Sequence, residues 1–255
     1  MTVLRSIVMA FAMFTRIPMP MVDWKKENMR FMLAAFPLVG AVLVGLYRLW
    51  LLVWQAAGWN KLVFAGGMAL LPLLLTGGIH MDGFCDTVDA LASHASPEKK
   101  RAILKDPHTG AFAVTGVAAY LLADFAMLSQ AEATARSVLL LGLAACVSRA
   151  LAALASLVFP ATGETGLLRS FRDAAEKRPA IILLIAETLL LAAGMVGLGG
   201  WMGGGMFLAE LLAMAWVGRI SHKEFQGMSG DLAGCLIQTA EILALLAMMI
   251  GETLG

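Results

Sequence analysis

Long apolar stretches recur at seven places along this chain and constrain its fold more than any other feature. A helix needs roughly 20 mostly apolar residues to cross a bilayer. Hydrophobic residues make up 60% of the 255 residues and charged residues only 15%, too few to cover a soluble protein of this size. We therefore predict an all-α, polytopic transmembrane bundle with spans at Phe31–Trp54, Leu62–Ile79, Ala111–Leu128, Val138–Phe159, Ile181–Leu198, Met206–Gly218 and Leu232–Ile250.

Two segments of this arrangement need separate interpretation. The sixth span is short and follows the glycine-rich segment Gly199–Gly205, which we interpret as a turn. The alternatives are that the span takes residues from this segment or crosses only half of the membrane. Thr2–Phe14 is apolar, but Arg16 and Pro18 follow it without the small-residue cleavage site of a signal peptide. We predict a short interfacial helix there, and a single integral membrane domain over residues 1–255.

The positions of the basic residues indicate how the chain is oriented. Cytoplasmic segments of membrane proteins are rich in Lys and Arg. If the segment between the second and third spans is cytoplasmic, the opposite segments keep only Lys61 and Arg136. We therefore expect the N-terminus and the functional site on the cytoplasmic side of a multi-pass protein. No basic run interleaves with aromatic residues, so a nucleic-acid partner is not expected.

The densest polar cluster comes at the end of the second predicted span. Asp82, Asp86 and Asp89 stand at positions i, i+4 and i+7, which share one face of a helix. Stacked carboxylates repel one another unless a cation lies between them, and hard oxygen ligands favour Mg²⁺ or Mn²⁺. Gly83 permits close approach of a phosphate. The alternative is a solvated acidic face, and for His80 a substrate contact and a structural role are both open.

Two further polar clusters follow at later positions in the chain. Asp106 could complete a metal site, Lys105 could neutralise phosphate oxygens, and His108 is a substrate-binding or structural candidate. Near the last span, Gly230 permits close helix packing, while Asp231 begins a polar stripe. The stripe continues through the same helix and ends at Glu241.

Arg149 is charged and lies within a predicted span. Such residues face the protein interior, because lipid does not solvate a charge. A guanidinium grips phosphate oxygens in pairs, so Arg149 is a candidate phosphate clamp. The equal alternative is a structural ion pair with Asp124 or Glu210.

Four parts of the sequence carry a resemblance to a known family. The runs GGIHMDGFCDTVDALASH and KKRAILKDPHTGAF, the element TRIPMP at 15–20 and the element GMSGD at 227–231 occur in that order. They resemble the signatures of the cobalamin synthase family (adenosylcobinamide-GDP ribazoletransferase). The chain departs from the family pattern at Ala90, Ser229 and Cys235, which replace Gly, Thr and Ala. These exchanges leave the acidic residues in place.

The resemblance implies a Mg²⁺-dependent transferase of cobalamin biosynthesis in a bacterial or archaeal cytoplasmic (inner) membrane. Its substrates would be adenosylcobinamide-GDP and α-ribazole or its 5′-phosphate. A ribose hydroxyl would attack the phosphorus nearest the aminopropanol arm, and GMP would leave. The lipid bilayer would be its other partner, and a homo-oligomer is considered beside a monomer.

The resemblance also implies roles for individual residues. The Mg²⁺ ligands would be Asp82, Asp86, Asp89 and Asp106. The charges that balance the leaving GMP would be Arg16, Lys105 and Arg149, and the proton acceptor would be Asp89 or Asp231. The residues expected to contact the substrates are Arg16, His80, Gly83, His108, Arg149, Gly230 and Glu241.

Three other functions are weighed against this one. A CDP-alcohol phosphotransferase expects Ala-Arg where this chain has Asp86-Thr87, and a prenyltransferase expects two separate aspartate-rich motifs. A secondary transporter, which belongs to another class, expects inverted repeats with broken helices, and the sequence shows no such symmetry.

Overall fold

A computed structural model describes residues 2–162 and 166–254. These residues form twelve helices and, apart from an isolated bridge between Ala161 and Met228, no β-structure. The helices are α1 (Thr2–Phe14), α2 (Lys26–Met29), α3 (Pro37–Ala57), α4 (Lys61–Thr76), α5 (Ile79–Ala92), α6 (Pro97–Ile103), α7 (Ala111–Gln130), α8 (Ala135–Val158), α9 (Leu167–Ala174), α10 (Lys177–Gly199), α11 (Trp201–Phe225) and α12 (Gly230–Leu254). The predicted all-α fold with a short N-terminal helix is confirmed.

Six helices, α3, α7, α8, α10, α11 and α12, are long and apolar enough to cross a membrane. Helices α4 and α5 make a further crossing only as a pair, and they are bent by 95° at the break between them. Gly77 and Gly78 form this break with φ angles of +65° and +80°, a region that glycine enters without steric cost. We treat α4, which is 16 residues long, as the membrane-embedded part of this pair, and α5, which turns away from it, as a helix outside the spans.

Helix α8 is the central element of the bundle. In its most apolar stretch 78% of the residues are buried inside the protein. The helix contacts α3, α10, α11 and α12. Gly40 allows α3 to approach α8 closely, because a Cβ there would lie 2.6 Å from the carbonyl oxygen of Ala145. Small residues are the usual means of close helix packing in lipid.

The glycine-rich segment before the sixth span is helical, so the interpretation of Gly199–Gly205 as a turn is wrong. Helix α11 begins at Trp201, and the break is confined to Gly200. Lipid cannot satisfy free backbone groups, so helix is retained there despite the glycines. Gly203 also lets α11 approach α10, since a Cβ there would lie 1.9 Å from the carbonyl oxygen of Met195. The alternative, a span that takes residues from this segment, is the observed one.

The first span begins later than predicted. Phe31 lies in a series of turns, and the helix starts at Pro37, which occupies its first turn. Proline suits that position because the first turn of a helix has no use for its missing N–H. The turns bring the chain from α2 to α3 at the same end of the bundle as α1.

Candidate active site

Helices α5 and α12 meet where the acidic cluster lies. A Cβ on Gly83 would lie 2.6 Å from the carbonyl oxygen of Asp231, and a Cβ on Gly234 would lie 2.8 Å from that of His80. Both glycines are therefore needed for the two backbones to approach this closely. The predicted role of Gly83 as a phosphate contact is not what its surroundings indicate: it packs against the first turn of α12. This packing brings Asp231 to the acidic face of α5.

The acidic side chains influence one another strongly. Burial first, and then the negative charges of Asp82, Asp231 and Asp89, raise the pKa of Asp86 to about 6. Within residues 2–162 and 166–254 none of these four carboxylates forms an ion pair. Mutual repulsion without a basic partner favours the binding of a cation.

The carboxylates do not form a complete metal site by themselves. Among the described residues, no three His, Cys, Asp or Glu side chains stand close enough together to hold a metal ion. This arrangement still fits Mg²⁺, which keeps several waters and is often bound by one or two carboxylates together with substrate phosphates. Asp82, Asp86 and Asp231 are the residues that fit such a site, since they offer oxygen ligands only.

Asp89, the third acidic residue of α5, faces another helix. Its Oδ1 accepts a hydrogen bond of 3.4 Å from the backbone N–H of Ala113 in the first turn of α7. A Cβ on Gly110 would lie 2.1 Å from the same carboxylate oxygen. A carboxylate at the start of a helix satisfies free N–H groups and complements the helix dipole. Asp89 thus holds α7 against α5.

A cleft of about 820 Å³ opens beside α5, between α1, α6, α8, α9 and α12. Of the residues singled out from the sequence, five line it: His80, Asp82, Lys105, Gly230 and Asp231. This is large enough for a substantial ligand, since drug-sized molecules occupy pockets of about 300–1,000 Å³.

The cleft contains an acidic and a basic group of side chains. The acidic ones are Asp82, Asp231 and Glu98, and the basic ones are Arg101, Lys105 and Arg169. Glu98 Oε1 already accepts a hydrogen bond of 2.6 Å from Gln226 Nε2. Among the described residues Arg101 and Lys105 form no ion pair, whereas Arg169 pairs with Asp173 at 3.0 Å. Such a set of charges suits a ligand that carries phosphate and a divalent cation together.

Arg101 and Arg169 were not predicted as site residues from the sequence. Arg101 belongs to a basic run that attraction to the membrane surface explains equally well. Its neighbour Lys100 is buried and pairs with Glu224 at the end of α11, which fixes α6. The available signal for Arg169 is the amphipathic pattern of α9, in which Leu168 and Phe171 also line the cleft.

Asp106 and His108 lie in an exposed turn after α6. Asp106 Oδ1 accepts a hydrogen bond of 3.0 Å from the backbone N–H of His108 and lies 2.7 Å from its Nδ1. These hydrogen bonds lower the pKa of Asp106. Neither residue lines the cleft. The structure therefore gives Asp106 a turn-forming role and does not group it with the acidic residues of α5.

Arg16 packs on the turn between α4 and α5. Its backbone N–H donates to the carbonyl oxygen of Leu75 at 2.7 Å, and a Cβ on Gly77 would lie 2.5 Å from its Nε. Arg16 does not line the cleft. Its position explains why a glycine stands at the bend.

Arg149 and Glu241 lie inside the bundle and pair with each other, which corrects their assignment to substrate binding. Arg149 is fully buried, and its Nη1 donates to Glu241 Oε1 at 2.6 Å and to the carbonyl oxygen of Ala145 at 2.7 Å. Ser148 Oγ donates to the same Glu241 oxygen at 2.9 Å. Arg149 therefore forms a structural ion pair, which was one of the two alternatives, but its partner is Glu241 and not Asp124 or Glu210.

His80 lies between the cleft and this buried pair. Burial, followed by the positive charge of Arg149, lowers the pKa of His80 well below its usual range. The imidazole is therefore neutral near pH 7. Its Nε2 is buried and has no hydrogen-bond partner among the described residues.

Fold and site together define a polytopic helical membrane protein with a large cleft at one end that combines acidic and basic side chains. The chain belongs to the cobalamin-5-phosphate synthase family, whose model matches residues 6–249. The predicted family and enzyme class, a transferase, are thereby confirmed, which decides against the CDP-alcohol phosphotransferase, prenyltransferase and transporter alternatives.

Relatives agree over nearly the whole chain. Adenosylcobinamide-GDP ribazoletransferase of Lachnoclostridium phytofermentans is 35% identical over 249 residues, which are 98% of this chain and 95% of the relative. The enzyme of the same name from Desulfitobacterium hafniense is 32% identical over 95% of this chain and 96% of its own length. The one from Clostridium botulinum is 29% identical over 94% and 95% respectively. No solved structure matches the chain.

Proposed function

We propose that this protein is an adenosylcobinamide-GDP ribazoletransferase. In this reaction the adenosylcobinamide phosphate group passes from adenosylcobinamide-GDP to α-ribazole or its 5′-phosphate. The products are adenosylcobalamin or its 5′-phosphate, and GMP. The observation that carries the proposal is the cleft, in which Asp82 and Asp231 lie together with Arg101, Lys105 and Arg169 in a member of this family.

The residues of the cleft can perform the transfer as follows. The ribose hydroxyl oxygen attacks the phosphorus attached to the aminopropanol arm, and the bond from that phosphorus to the bridging oxygen breaks. GMP leaves with the electron pair of this bond, and the hydroxyl proton passes to a carboxylate. Phosphoryl transfer depends mainly on positioning and on neutralisation of charge.

Asp231 is the better candidate for the proton acceptor. It lines the cleft, and Ser229 Oγ donates to its Oδ2 at 3.4 Å. Asp89, the other candidate, faces the start of α7 and does not line the cleft. A general base must reach the proton that it takes, so geometry favours Asp231.

The basic side chains would stabilise the phosphates of the leaving nucleotide. Arg101 and Lys105 project from α6 and its following turn, and Arg169 projects from α9 on another side of the cleft. Guanidinium groups bind phosphate oxygens in pairs. Bound Mg²⁺, held by Asp82 and Asp86, would supply the positive charge that the diphosphate requires, and Asp231 would stay available to take the proton.

The decisive experiment is reconstitution. The purified protein in lipid nanodiscs should form a complete cobamide and GMP from adenosylcobinamide-GDP and α-ribazole, and only when Mg²⁺ is present. Asp82→Asn should abolish product formation while the thermal unfolding profile stays that of the wild type. Asp23→Asn is the matched control, because the Asp23 side chain is 73% exposed and forms an ion pair with the similarly exposed neighbour Lys25. Near-normal turnover by Asp82→Asn would refute the acidic site.

We also propose that the cleft faces the cytoplasm of a bacterial or archaeal cell, with the N-terminus on the same side. The distribution of Lys and Arg supports this orientation. In a variant without native cysteines, Lys61→Cys should react with a membrane-impermeant maleimide in intact cells, and Lys99→Cys only after permeabilisation. The reverse labelling pattern would invert the orientation.

A further inference from the structure

Three rings at the base of the cleft form a group that the proposed reaction has not yet used. We call Phe14, Phe36 and His80 the aromatic floor, because all three line the cleft and pack on one another. The ring centroids of Phe14 and Phe36 are 4.2 Å apart, those of Phe36 and His80 5.5 Å, and those of Phe14 and His80 6.2 Å. The two separations that involve His80 are typical of interacting aromatic rings, and Phe14 and Phe36 lie slightly closer than usual.

The aromatic floor presents little polar surface. Met13, Leu33 and Ile79 also line the cleft, and all three are apolar. Ser156 lines it too, but its hydroxyl is already donated to the carbonyl oxygen of Ala152 at 2.7 Å. His80 is the polar side chain of the aromatic floor, it is only 5% exposed, and its buried Nε2 has no hydrogen-bond partner among the described residues. A buried polar atom of this kind requires a partner from a ligand or a water.

We infer that the aromatic floor binds the heteroaromatic base of the nucleoside acceptor, with His80 hydrogen-bonded to the free ring nitrogen of that base. This inference rests on the proposed function and adds the substrate part that the apolar side of the cleft receives. In α-ribazole the base is a benzimidazole, which is flat, apolar and bicyclic, and only one of its ring nitrogens is free. A single polar side chain, His80, among three packed rings matches that pattern.

Guanine, the other aromatic base in the reaction, fits the aromatic floor poorly. Guanine carries several donors and acceptors, and the aromatic floor offers a single polar side chain, that of His80. Burying the remaining groups without partners would oppose binding. The basic residues Arg101, Lys105 and Arg169 lie elsewhere in the lining and suit the nucleotide phosphates.

The sequence position of His80 agrees with this placement. It precedes Asp82 by two residues on α5, which corresponds to about 3 Å along the helix axis. Both side chains line the cleft. A base on the aromatic floor therefore leaves its attached ribose beside Asp82 and Asp231, where the hydroxyl has to react.

The experiment measures each substrate separately in nanodiscs with Mg²⁺. Initial rates give KM for α-ribazole and for adenosylcobinamide-GDP, and equilibrium dialysis gives Kd for each alone. Phe14→Ala should raise KM and Kd for α-ribazole about tenfold, the scale of lost base–aromatic stacking. Both constants for adenosylcobinamide-GDP and kcat at saturation should stay unchanged. Phe125→Ala, which alters a ring outside the cleft on the surface of α7, is the matched control and should change nothing.

Two further measurements cover a Phe14→Ala protein that does not fold. Phe14→Leu keeps apolar volume without a ring, so it should weaken α-ribazole binding less than Phe14→Ala but in the same selective way. The wild type should also prefer α-ribazole over the same α-riboside carrying adenine by about tenfold, because adenine brings polar groups that the aromatic floor cannot satisfy.

Several results would overturn the inference. Equal weakening of both substrates would mean a structural role for Phe14, and selective weakening of adenosylcobinamide-GDP would put guanine on the aromatic floor. Equal binding of the benzimidazole and adenine ribosides would contradict the argument from polarity. If the wild type forms no cobamide at all, the proposed function fails first and the inference with it. If it forms cobamide and the Phe14 variants behave as the wild type, only the inference fails.

Discussion

The charged side chains of the cleft and those inside the bundle are arranged in opposite ways. Inside the bundle, Arg149 is fully buried and Glu241 accepts hydrogen bonds from both Arg149 and Ser148. In the cleft, Asp82 and Asp231 stand near each other and, in the parts of the chain that the structure describes, pair with no basic residue. Opposite charges therefore lie together inside the bundle, whereas two like charges lie together in the cleft.

The difference follows from what surrounds each region. Lipid and apolar side chains cannot solvate a charge, so a buried arginine needs a partner within the protein. The cleft is open to ligands, so its charges can remain without protein partners until a cation and phosphates arrive. The buried pair should therefore serve stability, and the cleft acids should serve turnover.

Asp231→Asn should produce the largest effect, and only on turnover. Loss of a general base lowers rates by about 10²–10⁴-fold. Stability should not fall, because the change removes one of the charges that repel Asp86. Single-turnover formation of cobamide and thermal unfolding in nanodiscs measure the two quantities. If turnover and stability both fell, Asp231 would be a residue that holds α12 in place and not a reacting group.

Arg149→Leu should have the opposite effect and lower the free energy of unfolding by about 3 kcal/mol, because Glu241, which is 16% exposed, loses its basic partner and keeps only the hydrogen bond from Ser148. The double variant Arg149→Leu/Glu241→Leu should recover most of that loss, since no lone charge remains. Unfolding in mixed micelles with denaturant measures the free energies. Turnover per folded molecule should stay near the wild-type value for both.

The matched control for the Arg149–Glu241 pair is an ion pair on the protein surface. Lys25 and Asp23 form an ion pair of 3.0 Å with 68% and 73% of their side chains exposed, and Lys25→Met should leave stability unchanged. If the double variant is as unstable as Arg149→Leu, then Arg149 contributes through packing, and the contrast between the two regions loses its basis. If turnover disappears in a folded Arg149 variant, the other alternative that the sequence left open, a phosphate clamp, would be supported.

Much of the fold could be predicted from the sequence because lipid imposes a simple rule. Apolar length alone placed each predicted span, from Phe31–Trp54 to Leu232–Ile250, on a helix of the structure. The bounds were less accurate, because α3 starts only at Pro37 and α11 extends beyond both ends of Met206–Gly218. The rule gave a wrong result at Gly199–Gly205, where glycine in a water-soluble chain would indicate a turn. Helix packing decides that segment, and packing is not visible in composition.

The site could be predicted only in part because spacing along a helix does not show what lies opposite. The i, i+4, i+7 pattern located Asp82 and Asp86 correctly at the acidic face, and Asp89 on the same helix faces α7. Arg169 lies far from these residues in sequence and reaches the cleft because α9 folds back over it. Which residues reach the cleft is decided by contacts between segments that are distant in sequence.

The smallest expected effect on turnover concerns Asp106, for which sequence and structure indicate different roles. The sequence predicts a fourth metal ligand, whereas the structure shows a carboxylate that accepts hydrogen bonds from His108 in an exposed turn. Asp106→Asn keeps an acceptor oxygen for the His108 N–H, so turnover should stay within about threefold of the wild type, the scale of ordinary surface changes. The Mg²⁺ concentration for half-maximal rate should not move. A metal ligand would instead lose about 10²-fold or more in rate and demand more Mg²⁺, since a group that stabilises transition-state charge would be gone. Asp23→Asn, assayed beside it, separates such a loss from a general effect of removing a surface carboxylate.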